Sequence, residues 1–303
     1  MKNPSLVAPF LTMTLAATLA CSTIALAANP LATSTAAEVT AHYAVLAHAM
    51  YADALGDASR LQSDVESFLR NPSAATLEQA RASYRPLRVS YQQSEVLRFD
   101  AENGHVSEGL DADGGPASID AWEGQVNAWP LDEALIDYVA AGYEGDYNRP
   151  ANLINTPGVF AVGGTEVDVS NLTPDLLAQL NEIGGSEANV TTGIHAVEFL
   201  LWGQDIHGTG PGAGDRPASD YHVDPAQGAC TSGAGNPVNH AICQRRSQYL
   251  RAVLQLLVDD LHTMSNEWSP QARATPGTLG HDFLTRGDGI QRRTVDHRPM
   301  GRR

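Results

Sequence analysis

A histidine and a glutamate stand three positions apart in residues 191–203, where almost every other side chain is apolar or small. If this stretch is a helix, His195 and Glu198 lie on one face, close enough to bind one ion or each other. An imidazole and a carboxylate suit a borderline or hard cation such as iron or zinc. The pair therefore predicts a metal site with further ligands from other elements. The alternative left open is a buried hydrogen-bonded pair that only fixes helix packing.

Other sequence patterns that could carry chemistry fit less well. No His-Glu-x-x-His zinc-protease sequence occurs, which disfavours a peptidase of that type. The glycine-rich residues 208–214 lack the Lys-Ser/Thr of a phosphate-binding loop, and residues 111–114 lack the third ligand of a calcium loop. These two segments are interpreted as a flexible loop and an exposed acidic turn.

The elements that must position this pair are predicted to be helices, because apolar residues recur at intervals of three or four along most of the chain. Pro86 is expected to kink or break the second of them. A short helix is expected after Pro130, another after Pro174, and a small hairpin within residues 152–169. The long helices are predicted at residues 35–69, 76–99, 189–203 and 240–268. The predicted fold is all-α, an antiparallel helical bundle with long irregular loops.

The first 27 residues have the features of a secretory signal peptide: Lys2, an apolar run over residues 6–20 and small residues at 25–27. Residues 18–21 also loosely resemble a lipoprotein processing site, in which case Cys21 would carry a lipid anchor. The formal net charge of −16 argues against nucleic acid as a partner, since an acidic surface repels phosphate. The chain is expected in the periplasm or cell envelope.

Two cysteines follow the signal peptide, Cys230 and Cys243, in or beside a glycine-rich loop. An oxidising compartment permits them to pair, so a disulfide is predicted, with a thiolate metal pair as the alternative. Residues 273–303 differ from the rest, with seven arginines, three acidic residues and no apolar period. That stretch is expected to be a disordered tail, arising from a shifted reading frame or serving as a basic interaction segment.

The longest recognisable stretch, Gly-Ile-His-Ala-Val-Glu-Phe-Leu-Leu-Trp-Gly-Gln-Asp at residues 193–205, resembles the Gly-x-His-x-x-Glu signature of imelysin-like proteins. Residues 91–99, residues 126–133, and Arg245-Arg246 before Tyr249-Leu250 support the resemblance. It covers residues 38–268. It implies a cell-envelope location, a fold of two helical bundles, a link to iron acquisition and a peptidase label of unclear basis.

The resemblance also selects site residues. It implies that Gly193, His195 and Glu198 form the site, with Glu95, Trp129 and Asp132 in other matching stretches as weaker candidates; Glu95 and Asp132 would complete the metal ligands. The familiar C-terminal motifs are absent, so the second bundle is expected to be missing or truncated. The expected domains are a signal peptide at 1–27, a helical domain at 28–272 and an atypical tail at 273–303.

The function that the resemblance implies is binding of iron, with zinc as the other possible metal, or of a small metal-bearing ligand, in contact with envelope iron-uptake proteins. A metal-dependent peptidase is the first alternative, and it needs an open coordination position. A helical interaction protein without metal is the second.

Overall fold

The first helix, α1, spans Ala36–Arg70 and begins at a capping box. The Thr35 hydroxyl accepts a hydrogen bond from the Glu38 backbone, and the Glu38 carboxylate accepts one from the Thr35 backbone at 2.7 Å. These bonds satisfy amide groups that a helix start otherwise leaves unpaired. The buried face of α1 consists largely of small residues, which lets neighbouring helices approach closely: Ala44, Ala47, Ala54 and Ala58.

The computed structural model of the protein describes residues 35–97, 122, 124–139, 151–231 and 239–286. The predicted signal peptide, the proposed lipid site at Cys21, the acidic turn at 111–114 and residues 287–303 lie outside the described residues. The described residues belong to one compact unit, 35–303.

The second helix, α2, spans Ala74–Gln93 and continues through Pro86. The expectation of a break at Pro86 is therefore wrong. Proline removes the hydrogen bond to the carbonyl four residues earlier, that of Ala82. Because Ala82 and Pro86 both lie on the exposed side, water can replace the missing partner. A 3-10 turn, Ser94–Leu97, follows α2, so the regular helix ends before residue 99.

The remaining elements are shorter except for one helix. They are α3 (Glu133–Ile136), β1 (Val159–Val162), β2 (Thr165–Asp168), α4 (Pro174–Leu180), α5 (Gly193–Trp202), α6 (His240–Glu267), α7 (Pro270–Ala274) and α8 (Leu279–Arg286). The two strands form the expected hairpin, antiparallel, with Val159 opposite Asp168. The described residues are mostly helical, so the all-α prediction is confirmed.

Helices α1, α2 and α6 form the frame, with α1 packed against both others. The pairs Gln62–Gln255 and Glu66–Arg251 show that α1 and α6 run antiparallel, because the numbering rises on one helix as it falls on the other. Helix α5 lies against α2 and α6. The core that these helices share is apolar and continuous, which gives the site-bearing helix a fixed support.

The hairpin is held to the frame by one arginine of α6. The Arg245 guanidinium donates to the carbonyls of Ile154, Leu153, Val169 and Ser170 at 2.6–3.1 Å. Four backbone acceptors from the segments on both sides of the hairpin therefore share one cation. This explains structurally why an arginine stands at this position in the matching stretch.

Helix α8 lies inside the stretch that the sequence predicts to be a disordered tail. Phe283 is buried, stacks on Tyr43 with ring centroids 5.0 Å apart, and meets the edge of Trp268 at 5.1 Å. Leu279 and Leu284 are partly buried against the same core. Residues 279–286 therefore form a helix that packs on the core, whereas the sequence predicts disorder there.

Cys230 and Cys243 form a disulfide, as predicted, with Cα atoms 6.2 Å apart. The bond joins the loop before α6 to the first turn of α6. The next residue, Thr231, donates its hydroxyl to Asp220 and accepts at its carbonyl from Arg246 at 3.3 Å. The disulfide therefore holds the loop against buried charged groups.

Replacing both cysteines by serine is expected to lower the free energy of unfolding by about 3 kcal/mol, because the cross-link restricts the unfolded chain. Urea denaturation followed by circular dichroism measures the loss. Reducing agent should bring the wild-type protein to the variant's midpoint and leave the variant unchanged. Equal midpoints for oxidised wild type and variant would contradict the expectation.

Candidate metal centre

Helix α5 begins at a glycine that its surroundings require. Gly193 has φ +81°, a backbone conformation that side chains with a Cβ rarely adopt. A Cβ at this position would lie 2.5 Å from the carbonyl oxygen of Val126 and 2.8 Å from that of Gln125. The first residue of the signature is therefore glycine because the start of α5 packs directly on the backbone of residues 125–126.

The body of α5 is fixed by hydroxyl groups from three sides. Tyr84 donates to the carbonyl of Ile194 at 3.3 Å, and Tyr221 donates to that of Leu200 at 2.5 Å. Tyr249 donates to the carbonyl of Thr191, just before the helix, at 2.8 Å. These bonds hold α5 in position on both sides of the two polar side chains it carries.

The C-terminal end of α5 is capped by two arginines. The Arg81 guanidinium donates to the carbonyl of Leu201 at 3.0 and 3.1 Å and to that of Arg216 at 2.9 Å. The Arg216 backbone amide donates to the carbonyl of Trp202 at 2.8 Å. Carbonyls that a helix end leaves unpaired are thus satisfied, and cations lie at the negative end of the helix dipole.

His195 and Glu198 face each other on α5. The His195 Nδ1 and Glu198 Oε2 atoms are 3.4 Å apart, and the exposed fractions of the two side chains are 14% and 47%. The predicted juxtaposition on one helix face is therefore present. The outer side of the pair is open to solvent, so a ligand can approach Glu198 from that side.

The Glu198 carboxylate is surrounded by groups that favour its charge. Burial by itself raises the pKa of Glu198, but hydrogen bonds from His195 and Tyr84 and the positive charges of His195 and Arg88 lower it below its ordinary value. The carboxylate is therefore ionised at neutral pH. It is ready to bind a cation without first losing a proton.

Trp129 belongs to the same site. Its ring centroid lies 4.8 Å from that of His195, although 68% of the tryptophan is exposed. An indole this exposed leaves much apolar surface in water. Of the weaker candidates, Trp129 is the one whose ring the structure places on His195.

The other two predicted ligands are positioned differently. Glu95 lies exposed in the 3-10 turn Ser94–Leu97. Asp132 is buried, and its backbone amide donates to the carbonyl of Ala188 at 2.7 Å. Across the described ranges, no three His, Cys, Asp or Glu side chains come together in a group that could hold a metal ion.

Glu133 lies close to these acids, a location that the sequence did not reveal. Burial raises the pKa of Glu133 to about 7, against the opposing charge of Arg216 and with smaller contributions from the carboxylates of Asp205, Glu198 and Asp132. In the sequence, Glu133 is only an acid within the short helix expected after Pro130. At neutral pH this carboxyl is part protonated, which limits the negative charge gathered near Glu198.

A buried ion cluster that was not predicted from the sequence lies next to α5. Asp137 Oδ2 accepts from Arg216 and from Arg246 at 2.6 Å each, and Arg216 also donates to Asp220 at 2.9 Å. Tyr138 donates to the same Asp220 carboxylate at 2.6 Å. Two guanidinium groups and two carboxylates thus balance one another in the core.

The Arg216 guanidinium also lies over two aromatic rings. Its central carbon is 5.0 Å from the ring centroid of Tyr138 and 5.2 Å from that of Phe199, a residue of α5. Cation–π contact stabilises a cation in such a place. The ion cluster is therefore coupled to α5 through Phe199. Arg245-Arg246 in the sequence was the only signal for it.

Comparisons with known proteins add to this geometry. The family model described as imelysin, Peptidase M75, matches residues 47–292, more than half of the chain. Iron-regulated protein A of Synechococcus elongatus is 26% identical over 91 residues, which cover 30% of this chain and 21% of that protein. The aligned segment is thus a small part of that relative. Within the described ranges, no helix combines the length and apolar composition that a bilayer crossing requires.

Proposed function

The chain belongs to the imelysin family, and on that basis we propose that it is an exported envelope protein that holds a metal ion at His195 and Glu198. The observation that carries the proposal is the convergence of His195 Nδ1 and Glu198 Oε2, 3.4 Å apart, on the helix that bears the family signature. Imidazole nitrogen and carboxylate oxygen suit iron and zinc. We rank iron first because the one relative described above is named an iron-regulated protein.

His195 and Glu198 are suitable donors for a metal ion, but two donors do not complete its coordination. Two protein donors converge, and the half-exposed Glu198 side chain leaves the outer side accessible. Water or an external ligand would occupy the positions that the protein leaves open. Glu95 and Asp132 remain proposed as further donors.

The surroundings of the pair support a binding role. A metal ion needs a deprotonated carboxylate, and the lowered pKa of Glu198 meets that need at neutral pH. Tyr84 contributes to this lowering of the pKa of Glu198. Its side chain is buried and its hydroxyl donates to the carbonyl of Ile194, so the position of Tyr84 is fixed.

The wider proposal concerns place and partners. We propose that the signal peptide at 1–27 directs export, with a lipid anchor at Cys21 as the alternative. We also propose a role beside envelope iron-uptake proteins. The division into a helical domain at 28–272 and a tail at 273–303 also stays a proposal. The first fourteen residues of that tail include the end of α7 and the whole of α8.

We expect His195→Ala to weaken metal binding by at least roughly a hundredfold, since loss of an outer-shell partner alone costs 10–100-fold. Isothermal titration of purified protein with Zn²⁺, and with Fe²⁺ under anaerobic conditions, measures the affinity. Elemental analysis of protein as isolated measures retained metal.

The matched control is His262→Ala, which removes an exposed histidine of α6 whose neighbour is Asn266. Metal affinity should not change in this control. Equal and negligible metal in wild type and both variants would refute the binding proposal. That result, together with lower stability only in His195→Ala, would favour a packing role for the pair.

A metal-dependent peptidase is a second candidate, favoured by the exposed half of Glu198, which leaves space for a substrate beside the pair. Chelator-sensitive proteolysis that is lost in Glu198→Ala would support it. Wild-type protein that retains metal and cleaves no peptide would exclude it.

A further inference from the structure

The hairpin of β1 and β2 has two open edges. Among the described elements, the strands pair only with each other, and neither packs extensively on a helix. The Val169 amide donates to the Gly158 carbonyl at 2.8 Å, and bonded pairs alternate along an antiparallel ladder. In the observed register, Val159 and Ala161 therefore lie in the pairs that are not bonded. Their amides and carbonyls point away from β2, out of the β1 edge of the sheet.

The outward groups of β1 lack backbone partners. Within the described ranges, neither the amide nor the carbonyl of Val159 or Ala161 bonds to a backbone group outside the hairpin. Both residues are exposed, and Val159 is 63% accessible to water. A strand edge of this kind is a template for pairing with another strand. Because Arg245 holds the segments on both sides of the hairpin, the edge stands on a fixed support.

The two edges of the hairpin differ in charge. On β2, the residues whose backbone groups point outward are Glu166 and Asp168, and both are exposed acids. Charged side chains on an edge strand disfavour pairing, because a second strand would bring like charges together or bury charge. Strand β1, Val-Phe-Ala-Val, contains neither a charged residue nor a proline. The β2 edge is thus protected by charge, and the β1 edge is not.

The β1 edge is complementary to a second copy of itself. When two β1 strands pair antiparallel about a two-fold axis at Phe160, Val159 of each copy lies opposite Ala161 of the other. These are the residues with outward backbone groups, so each Val159–Ala161 pair can exchange both of its backbone hydrogen bonds. The same pairing removes the exposed Val159 side chain from water. A two-fold contact uses the same surface on both copies and closes as a dimer.

The acidic residues of the hairpin do not oppose pairing through β1. In a sheet of order β2–β1–β1–β2, the acids of the two β2 strands are three strand spacings apart, about 14 Å. That separation exceeds the Debye length of about 8 Å at physiological ionic strength, so their repulsion is screened. Pairing through β2 would instead place Glu166 of one copy opposite Asp168 of the other.

We infer that the β1 edge is a self-association surface, through which two copies of this chain join their hairpins into one four-stranded sheet. A second copy is the occupant that the register and the uncharged sequence of β1 favour. The contact is short, so the dimer is weak and forms at high protein concentration. Because the net charge of −16 opposes association, the dimer should strengthen as added salt screens that charge.

Sedimentation equilibrium from about 10 µM to 1 mM protein measures the dissociation constant of the dimer. Ala161→Pro removes an outward amide hydrogen and leaves the bonds to β2 in place, so we expect dimerisation to weaken roughly tenfold. Val159→Lys adds a charge to the same edge, keeps the backbone unchanged and should also weaken the dimer. The matched control is Glu166→Pro, because Glu166 lies opposite Ala161 and its amide points out of the β2 edge. It should dimerise at least as well as wild type.

The variants separate pairing at β1 from other modes of association. A weaker dimer in Ala161→Pro and Val159→Lys, with none of this loss in Glu166→Pro, supports the inference. Protein that stays monomeric at every concentration and salt overturns it and leaves the β1 edge to a strand of another protein. A dimer that Val159→Lys does not weaken, or that weakens as salt rises, forms elsewhere on the molecule and also overturns it. If urea denaturation shows that the proline variants are unstable, Val159→Lys alone decides.

Discussion

Asp137→Asn is expected to lower the free energy of unfolding by about 3–5 kcal/mol, the cost of leaving a buried charge without its partner. The Asp137 carboxylate accepts from both Arg216 and Arg246, and all three side chains are at most 2% exposed. Asparagine keeps the shape of the side chain but leaves the two guanidinium groups with one carboxylate, that of Asp220. Urea denaturation at neutral pH measures the difference.

The control is an ion pair on the surface. Glu66 and Arg251 are 3.0 Å apart, but their side chains are 38% and 45% exposed. Glu66→Gln should therefore change stability by less than about 1 kcal/mol. A loss of similar size in both variants would contradict the role given to the buried cluster.

The same carboxylate predicts how stability depends on acid. Burial by itself raises the pKa of Asp137, but the charges of Arg246 and Arg216 outweigh it and lower the pKa below the ordinary value. A depressed folded-state pKa contributes stability that is complete above about pH 4 and lost as pH falls through the folded-state value. Asp137→Asn should lack this acid-dependent part.

Gly193→Ala is expected to destabilise the protein by about 3 kcal/mol, from roughly 1–2 kcal/mol of left-handed backbone strain and 1–3 kcal/mol of overlap. The new Cβ would lie 2.5 Å from the Val126 carbonyl oxygen, and α5 would have to move away from it. Metal affinity should fall as well, because His195 and Glu198 move with α5. Urea denaturation and titration with Zn²⁺ measure the two effects.

Gly164→Ala separates the two contributions. Gly164 also has φ +81°, but nothing lies within 4 Å of the position its Cβ would take. Only the backbone strain of about 1–2 kcal/mol should appear there. If Gly164→Ala and Gly193→Ala lose equal stability, close packing against Val126 is not what requires glycine at the start of α5.

Features that depend on local spacing could be predicted from the sequence. The long helices follow from apolar periodicity, and α1 begins within one residue of its predicted start. His195 and Glu198 meet because i, i+3 is a fixed distance on a helix. The pairing of Cys230 with Cys243 needed only two cysteines and an oxidising compartment.

Features that depend on distant parts of the chain could not be predicted. The buried ion cluster joins three separate segments, because Asp137 lies 79 positions from Arg216 and 109 positions from Arg246. No periodicity in the sequence links these residues. The reason for glycine at 193 lies in a carbonyl of Val126.

Two features differ from the sequence-based expectation. Pro86 was expected to kink or break α2, but its exposed position lets the helix continue without a break. The short apolar pattern of α8, with Leu279, Phe283 and Leu284, is hidden among arginines and glycines. Its aromatic partners are Tyr43 of α1 and Trp268 at the end of α6, which are distant in the chain or outside the pattern, so its packing was not visible in the sequence.

The hydroxyl groups of Tyr84, Tyr221 and Tyr249 restrain the backbone of α5 whether or not a ligand is bound. Most of the conformational entropy that binding would otherwise cost is therefore lost already on folding, a case of preorganisation. Selectivity at such a rigid site comes from how well a ligand matches donors that are already in place. Only side chains on its solvent side, such as Trp129, have freedom to adjust.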